Sequence, residues 1–163
     1  VLRVDYYEAK ELFHIINRSA AILNIEITDD GAMELARRSR GTPRLANRIL
    51  RRTRDFAEVG GSGTIDIEVA KHALQKIGID REGLDDMDRK ILTTIIDQFS
   101  GGPVGLKSLS VAVSEDNSTI EDVYEPYLIK QGLIMRTTRG RVVQDKAYKL
   151  LGKKKLKNQQ RLF

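Results

Sequence analysis

Apolar residues recur at a helical period through the first half of the chain. The first such stretch predicts a helix from about Asp5 to Leu23, with Asp5 as the N-cap and Glu8 at the capping-box position three residues later. Three further stretches follow, beginning at Thr28 or Asp29, at Pro43 and at Asp66, and ending near residues 39, 59 and 77. Only short links separate them. Residues 1–80 are therefore predicted to form a unit of four α-helices.

The periodicity is interrupted at about residues 79–83, where three breaking residues, Gly78, Asp80 and Gly83, lie close together. Beyond them the pattern predicts a helix over 85–99, a short helix over 106–113 and a third helix capped by Ser118. Two strand-like runs, LIMRT and RVV, follow and are joined by a Gly-containing turn. Three helices followed by a hairpin is the order of a winged helix, so residues 84–152 are predicted to form a second domain.

A basic tail at residues 153–163 is predicted to be disordered. The fold class expected from the whole pattern is mainly α: four helices followed by a winged-helix domain with a small β-hairpin wing.

The third helix of the second domain carries carboxylates on the face that the pattern leaves outside. Its predicted core positions are Ile120, Val123, Tyr124 and Tyr127. The outer side then carries Glu121, Asp122 and Glu125, and three carboxylates facing a phosphate backbone would repel it. This helix is therefore a poor candidate for entering a DNA groove.

The predicted hairpin has the opposite charge. It carries Arg136, Arg139 and Arg141 within a few residues of a glycine turn, with no acidic residue between them. Such side chains can grip phosphates with little regard for base sequence. The alternative interpretation is an exposed hairpin whose basic residues only protect a sheet edge.

Composition excludes several kinds of site. The 163 residues contain no cysteine, which excludes disulfides and thiolate zinc sites, and the two histidines, His14 and His72, are too few for a histidine metal cluster. No metal site is predicted. The net charge of +5 is compatible with a polyanionic partner. Neither a signal peptide nor a membrane-spanning apolar run is evident, so a cytoplasmic location is expected.

The junction before the third helix fixes the position of one arginine. Gly41 is predicted at the C′ position of the preceding helix, Thr42 at the N-cap and Pro43 at the first helical position. Arg44 then lies in the first turn, where the helix dipole disfavours a cation. An anionic ligand bound beside the free N–H groups would explain that placement, although an ordinary surface arginine would also fit.

The sequence from Asp29 to Val59, DDGAMELARRSRGTPRLANRILRRTRDFAEV, closely resembles the lid domain of the RuvB family. These AAA+ ATPases are bacterial motors that drive branch migration of Holliday junctions. The resemblance implies that Arg44 is the second nucleotide sensor, which reaches from the lid to the phosphates. It also implies that Tyr7 lines the nucleotide site.

The second domain resembles the same family through the motifs MDRKIL, GGPVGL, TIEDVYEPYLI and RTxRGR. The family match implies that Arg136 and Arg141 contact DNA, with Arg139 beside them. Two positions depart from the family pattern. Thr138 replaces an expected proline in the wing, and Asn117 occupies a place where some relatives have an arginine, so that arginine's contact is not carried over.

The sequence contains no GxxxxGK[ST] phosphate loop, so this chain alone is not expected to hold Mg-ATP or to hydrolyse it. A large ATPase domain is expected to precede Val1 and to bind ATP with Mg²⁺. The resemblance further implies a hexameric ring on the duplex arms of a Holliday junction, in cooperation with RuvA, which would grip the large domain.

Two other functions fit parts of the pattern. An origin-initiator AAA+ ATPase also places a helical lid before a winged helix. A transcription regulator could combine a winged helix with a helical dimerisation domain, but it would need sequence-selective base contacts. Titration against unrelated duplexes of equal length distinguishes the regulator from a motor.

Overall fold

The computed structural model of the chain describes residues 6–155. The chain divides into two compact units, Val1–Asp85 and Asp86–Phe163. The predicted fold class is confirmed: the structure is mainly α, with a four-helix unit followed by a winged helix that carries a small antiparallel hairpin. Asp5, the predicted N-cap, and residues 156–163 of the basic tail lie outside the described residues. The first helix begins at Ala9 and Glu8 is its N-cap, so the predicted start near residue 5 and the capping-box position of Glu8 are wrong.

The first unit contains four helices and two very short strands. They are α1 (Ala9–Ile22), β1 (Glu26–Ile27), α2 (Asp29–Arg37), α3 (Pro43–Val59), β2 (Thr64–Ile65) and α4 (Ile67–Ile77). The four helices bury one apolar core, which includes Leu12, Ile16, Leu35, Ile49, Leu50 and Leu74. Side-chain caps fix where three of the helices begin, because Thr28, Thr42 and Asp66 each accept a hydrogen bond from a backbone N–H in the first turn.

The two strands of this unit are not evident in the sequence. β1 pairs in parallel with β2, Glu26 opposite Thr64 and Ile27 opposite Ile65. Two-residue strands are too short to show a period, so the pattern predicted only short links there. Ile65 is fully buried, and its carbonyl accepts a hydrogen bond from Thr28 N at 2.9 Å. The pair therefore ties the start of α2 to the start of α4.

The second unit has the order of a winged helix. Its elements are α5 (Asp86–Gln98), α6 (Leu106–Val113), α7 (Asn117–Thr119), a π-helical turn (Ile120–Tyr124), α8 (Glu125–Lys130), β3 (Ile134–Thr137), β4 (Gly140–Val143) and α9 (Asp145–Leu150). Val104 forms an isolated antiparallel bridge with Arg141. Asp116, and not Ser118, is the N-cap of α7.

In the third helix of the winged helix, the predicted division into a buried and an exposed face is wrong at two residues. Val123 was expected inside but is 57% exposed, whereas Glu125 was expected outside and is fully buried. The cause is the π-helical turn, in which Glu125 N donates to Ile120 O, five residues back. Because this turn holds an extra residue, Glu125 rotates toward the interior. Pro126 lacks the N–H that a regular helix would use to bond Asp122, which favours the wider turn.

The start of the basic tail contacts the folded unit. Lys153 Nζ lies 3.0 Å from both carboxylate oxygens of Asp97, and Lys155 Nζ lies 3.0 Å from Asp145. These contacts lie in the described part of the tail, residues 153–155, and the disorder of the tail stays a prediction. Among the helices within residues 6–155, none combines the length and the apolar character that crossing a bilayer requires.

Candidate functional site

The turn between α2 and α3 lies at one end of the first unit. α2 ends at Arg37 with Arg38 as its C-cap, so Gly41 is not the C′ residue that the sequence predicted. Arg40 and Gly41 instead both adopt left-handed backbone angles, with φ of 57° and 73°. A Cβ atom on Gly41 would lie 2.9 Å from the Cβ of Tyr6. Glycine is needed at residue 41 because the segment before α1 packs directly against this turn.

Arg44 and Tyr7 lie at this same end of the unit. Arg44 is exposed in the first turn of α3, and its side chain makes no hydrogen bond or ion pair with any residue that the structure describes. Tyr7 N donates to Gly41 O at 2.9 Å, and its side chain is 43% exposed. The arrangement brings together an unpaired cation, a helix N-terminus and an aromatic ring, which suits a ligand that has both phosphate and a planar ring.

Two neighbouring arginines do not share these properties. The guanidinium of Arg40 is mostly buried and lies 3.6 Å from the Asp85 carboxylate. Arg48 is exposed, but it lies more than one turn further along α3, away from the helix N-terminus. Arg44 is therefore the arginine on α3 that is best placed to meet an anion at this end.

The register of the hairpin brings two of the predicted DNA-contacting residues together. Arg136 on β3 pairs directly with Arg141 on β4, so their side chains leave the same face. Thr137 Oγ1 donates to Gly140 O at 2.8 Å and accepts from Arg139 N at 3.2 Å, which closes the turn. Arg139 is exposed at its tip, and its side chain has no polar partner within residues 6–155. All three arginines lie on the wing.

A buried carboxylate joins the two facing arginines. Arg136 Nε and Nη2 both donate to Glu125 Oε2, at 2.8 and 2.6 Å. Arg141 Nε donates to Glu125 Oε1 at 2.5 Å, and its Nη2 lies 3.4 Å from Oε2. The Glu125 side chain is fully buried, whereas the side chain of Arg136 is 44% exposed and that of Arg141 is 15% exposed. Arg136 is thus the more outward of the pair.

Glu125 is the partner of the wing arginines that sequence reasoning missed. The hairpin itself contains no acid, as predicted, but this carboxylate reaches the arginines from α8, which is 11 and 16 residues away in sequence. The one signal in the sequence is Pro126, which lacks the N–H that a regular helix requires. Glu121 and Asp122 do lie exposed on the helix, as predicted, so the outer face keeps two of its three expected acids.

Over residues 6–155 no group of three or more His, Cys, Asp or Glu residues is arranged to hold a metal ion. The chemistry that the arginines and Tyr7 offer is contact with anions and with flat rings. It occurs at two places: the Arg44 and Tyr7 end of the first unit, and the arginine wing of the second.

Known proteins match both units. A family model described as the RuvB AAA lid domain matches residues 7–80, and one described as the RuvB C-terminal winged helix domain matches residues 81–152. The Holliday junction branch migration complex subunit RuvB of Flavobacterium psychrophilum is 59% identical over 161 residues, which are 99% of this chain and 47% of that protein. The protein of the same name from Lawsonia intracellularis is 58% identical over 151 residues, 93% and 44% of the two chains.

A solved structure of a RuvB protein is also similar to this chain. The Thermotoga maritima RuvB Holliday junction branch migration motor superposes with a TM-score of 0.89 at 45% identity, over 93% of this chain and 51% of that one. The chain thus spans about half the length of the curated relatives that it matches.

Proposed function

Because the chain belongs to the RuvB family, we propose that it supplies the lid and the DNA-binding domain of an ATP-dependent motor that drives branch migration of Holliday junctions. The observation that carries the proposal is the wing, where Arg136 and Arg141 share one face and Arg139 is exposed at the tip. A motor of this kind must hold any duplex arm. A small basic hairpin that contacts phosphates meets that requirement.

The proposed role of the wing is to bind the duplex arms of the junction without reading their sequence. The guanidinium groups of Arg136, Arg139 and Arg141 donate to phosphate oxygens or enter the minor groove. Exposed Glu121 and Asp122 lie on the helical segment that precedes the wing. Their negative charges keep this segment away from the phosphate backbone. The helix that would enter the major groove in many winged helices is therefore assigned no DNA contact here.

The proposed role of the lid is to sense the nucleotide. Arg44 and Tyr7 fit ATP because an unpaired guanidinium beside a helix N-terminus suits phosphate, and an exposed ring suits the base. ATP, bound with Mg²⁺ by the large domain of the motor, supplies the free energy of hydrolysis. Within this chain, Arg44 would bind the phosphate end and Tyr7 would border the base, so that the lid position depends on which nucleotide is bound.

The complete motor is proposed to be a hexameric ring around duplex DNA in the bacterial cytoplasm, and to meet RuvA through its large ATPase domain. In that assembly, hydrolysis changes the contact between Arg44 and the nucleotide phosphates. The lid then moves as a rigid body and carries the attached DNA-binding domain with it. This chain alone is expected to bind DNA weakly, to hydrolyse no ATP and not to bind RuvA.

Titration of the chain against several unrelated duplexes of equal length tests the proposal. We expect similar affinities on all of them and a strong loss of binding as salt is raised. The variant Arg136→Ala should weaken binding equally on every duplex and reduce the salt slope by about one charge. Arg89→Ala, which removes the same charge from α5 outside the wing, is the matched control. Strong preference for one sequence would contradict the motor and favour the transcription regulator.

A further inference from the structure

The geometry points to Glu125 as a positioning residue, which holds Arg136 and Arg141 of the wing in the conformation that meets DNA. This inference rests on the proposed DNA-binding function of the wing and adds to it a residue that itself touches no DNA. Its basis is the buried carboxylate of Glu125, which accepts hydrogen bonds from both guanidinium groups: Oε2 accepts from Arg136, and Oε1 and Oε2 accept from Arg141.

The hydrogen bonds to Glu125 leave part of each guanidinium available. Arg136 binds the carboxylate through Nε and Nη2, and Arg141 binds it through the same two nitrogens. The Nη1 atoms of both residues have no partner within residues 6–155. A guanidinium is planar and carries five donors, so one edge can remain on the carboxylate while the other edge donates to phosphate.

Electrostatics explains why an acid is needed between these arginines. Like charges directly opposite on a hairpin repel each other, and Arg136 and Arg141 are such a pair. One buried carboxylate reduces the charge of the cluster from +2 to +1 and draws both guanidinium groups to the same place. Without it the two side chains would spread apart and lose their common direction.

Ordering of the side chains explains how Glu125 would increase DNA affinity. A long arginine side chain that is mobile in the free protein must be immobilised when it binds, which weakens binding about two- to tenfold for each side chain. Arg136 is already held at two nitrogens while it remains 44% exposed. Its conformation is therefore set before DNA arrives.

A purely structural role explains less of this arrangement. Buried ion pairs are often replaceable by apolar side chains without loss of stability, so stability alone gives little reason for a fully buried carboxylate here. The π-helical turn is an unusual feature, and it is what brings Glu125 to the wing. A positioning role accounts for the turn, the buried acid and the outward arginine together.

A double-mutant cycle tests the inference by fluorescence titration of a labelled duplex. Glu125→Gln keeps the size of the side chain but removes its charge, and we expect duplex binding to weaken about three- to tenfold. In an Arg136→Ala, Arg141→Ala background the same substitution should have little further effect, since Glu125 acts through those two residues. Glu121→Gln, which removes the same charge from the exposed helix face, should instead tighten binding slightly, because it removes repulsion of the phosphates.

A measurement on the unmodified chain is independent of how well any variant folds. The Nε–Hε signals of Arg136 and Arg141 in ¹⁵N NMR should show restrained side chains and slow exchange in the free protein, and should persist when the duplex is added. Arg139, with no polar side-chain partner within residues 6–155, is the internal reference and should be mobile until DNA binds. Equal mobility of all three arginines in the free protein would overturn the inference.

The outcomes separate this inference from the proposed function. If Arg136→Ala and Arg141→Ala leave duplex binding unchanged, the wing is not the DNA contact, and the proposed function fails. If those variants weaken binding but Glu125→Gln behaves like Glu121→Gln, the function stands and the positioning role is wrong. Additive losses in the double-mutant cycle would also reject the positioning role, because they would show that Glu125 does not act through the arginines.

Discussion

Single residues carry the proposed nucleotide response, and Arg44 is the most important of them. In the full-length motor, Arg44→Ala should leave folding intact and lower ATP turnover and branch migration about ten- to a hundredfold, the effect of losing a hydrogen bond to a charged group. Steady-state ATP hydrolysis and a junction-resolving gel assay measure the two activities. Arg48→Ala removes a similar exposed arginine from the same helix and should be nearly neutral. A full-length Arg44→Ala motor with normal ATP turnover would reject the sensor role.

Lysine at residue 44 provides a second test of the same role. A lysine keeps the positive charge but has a single ammonium group in place of the planar fork. If Arg44 contacts phosphate through two nitrogens, Arg44→Lys should restore only a small part of the ATPase activity lost in Arg44→Ala. Full restoration would show that charge alone is required at this position.

At the residue scale, the sequence predicted positions that depend on local structure, but not those that depend on contacts between residues distant in sequence. The positions of Arg44, Arg136, Arg139 and Arg141 follow from a helix start and a hairpin turn, which are local features. Arg44 lies exposed in the first turn of α3, and the arginines lie on the wing, as predicted. Glu125 could not be found in this way, because its partners are distant in sequence and its direction depends on a turn of unusual width.

Among the elements, the segment from α7 to α8 depends on one carboxylate at its start. Asp116 is the N-cap, and the hydrogen bonds that it accepts, first from the Ser118 hydroxyl and then from Thr119 N, lower its pKa below the usual 3.8. A lowered pKa means that the capping contribution is complete above pH 3.8 and is lost as the pH falls through the pKa of the folded state. Stability should therefore decrease at low pH through this group.

Comparison with Asp116→Asn isolates that effect. Asparagine is an equally good N-cap but does not titrate. Urea unfolding at several pH values below 4 should show a steeper loss of stability in the wild-type chain than in Asp116→Asn. Parallel curves would mean that Asp116 does not contribute to the pH dependence.

The hairpin depends on the glycine that begins β4. Gly140 has a φ of 133°, and a Cβ atom there would collide with the Val104 carbonyl oxygen. Gly140→Ala should therefore lower the free energy of unfolding by about 2 kcal/mol or more. Gly132 also has a positive φ, 72°, but open space around it, so Gly132→Ala is the control that measures the cost of a left-handed backbone without a collision. Equal losses in both variants, measured by thermal unfolding, would show that the contact with Val104 is unimportant.

Caps and breaking residues predicted some element boundaries, although Ser118 and Gly41 were assigned wrongly. Pro43 and Gly60 mark the two ends of α3, and Asp66 marks the start of α4. The β1–β2 pair and the π-helical turn were missed because neither has a period of its own: the first depends on pairing across 38 residues, and the second on a local rearrangement before Pro126.

The whole chain contains two units with separate cores. Two of its loops, residues 60–63 and 80–84, should differ in how readily a protease cuts them. The loop at residues 80–84 is tied together, since Asp80 Oδ1 accepts hydrogen bonds from Glu82 N and Leu84 N at 2.9 Å and Leu84 is fully buried. The turn at residues 60–63 is exposed throughout. Limited proteolysis with a nonspecific protease should therefore cut first at residues 60–63. First cleavage inside α3 would contradict the four-helix unit.

The most direct test of the account is a comparison of two activities in the full-length motor that carries both Arg136→Ala and Arg141→Ala. Because the wing is proposed to hold DNA while the lid senses nucleotide, ATP hydrolysis without DNA should remain near the wild-type rate. DNA binding should be weakened but still measurable, RuvA-dependent branch migration should be lost, and Arg89→Ala should retain all of these activities. Normal branch migration by the double variant would contradict the central claim that the wing couples this chain to DNA.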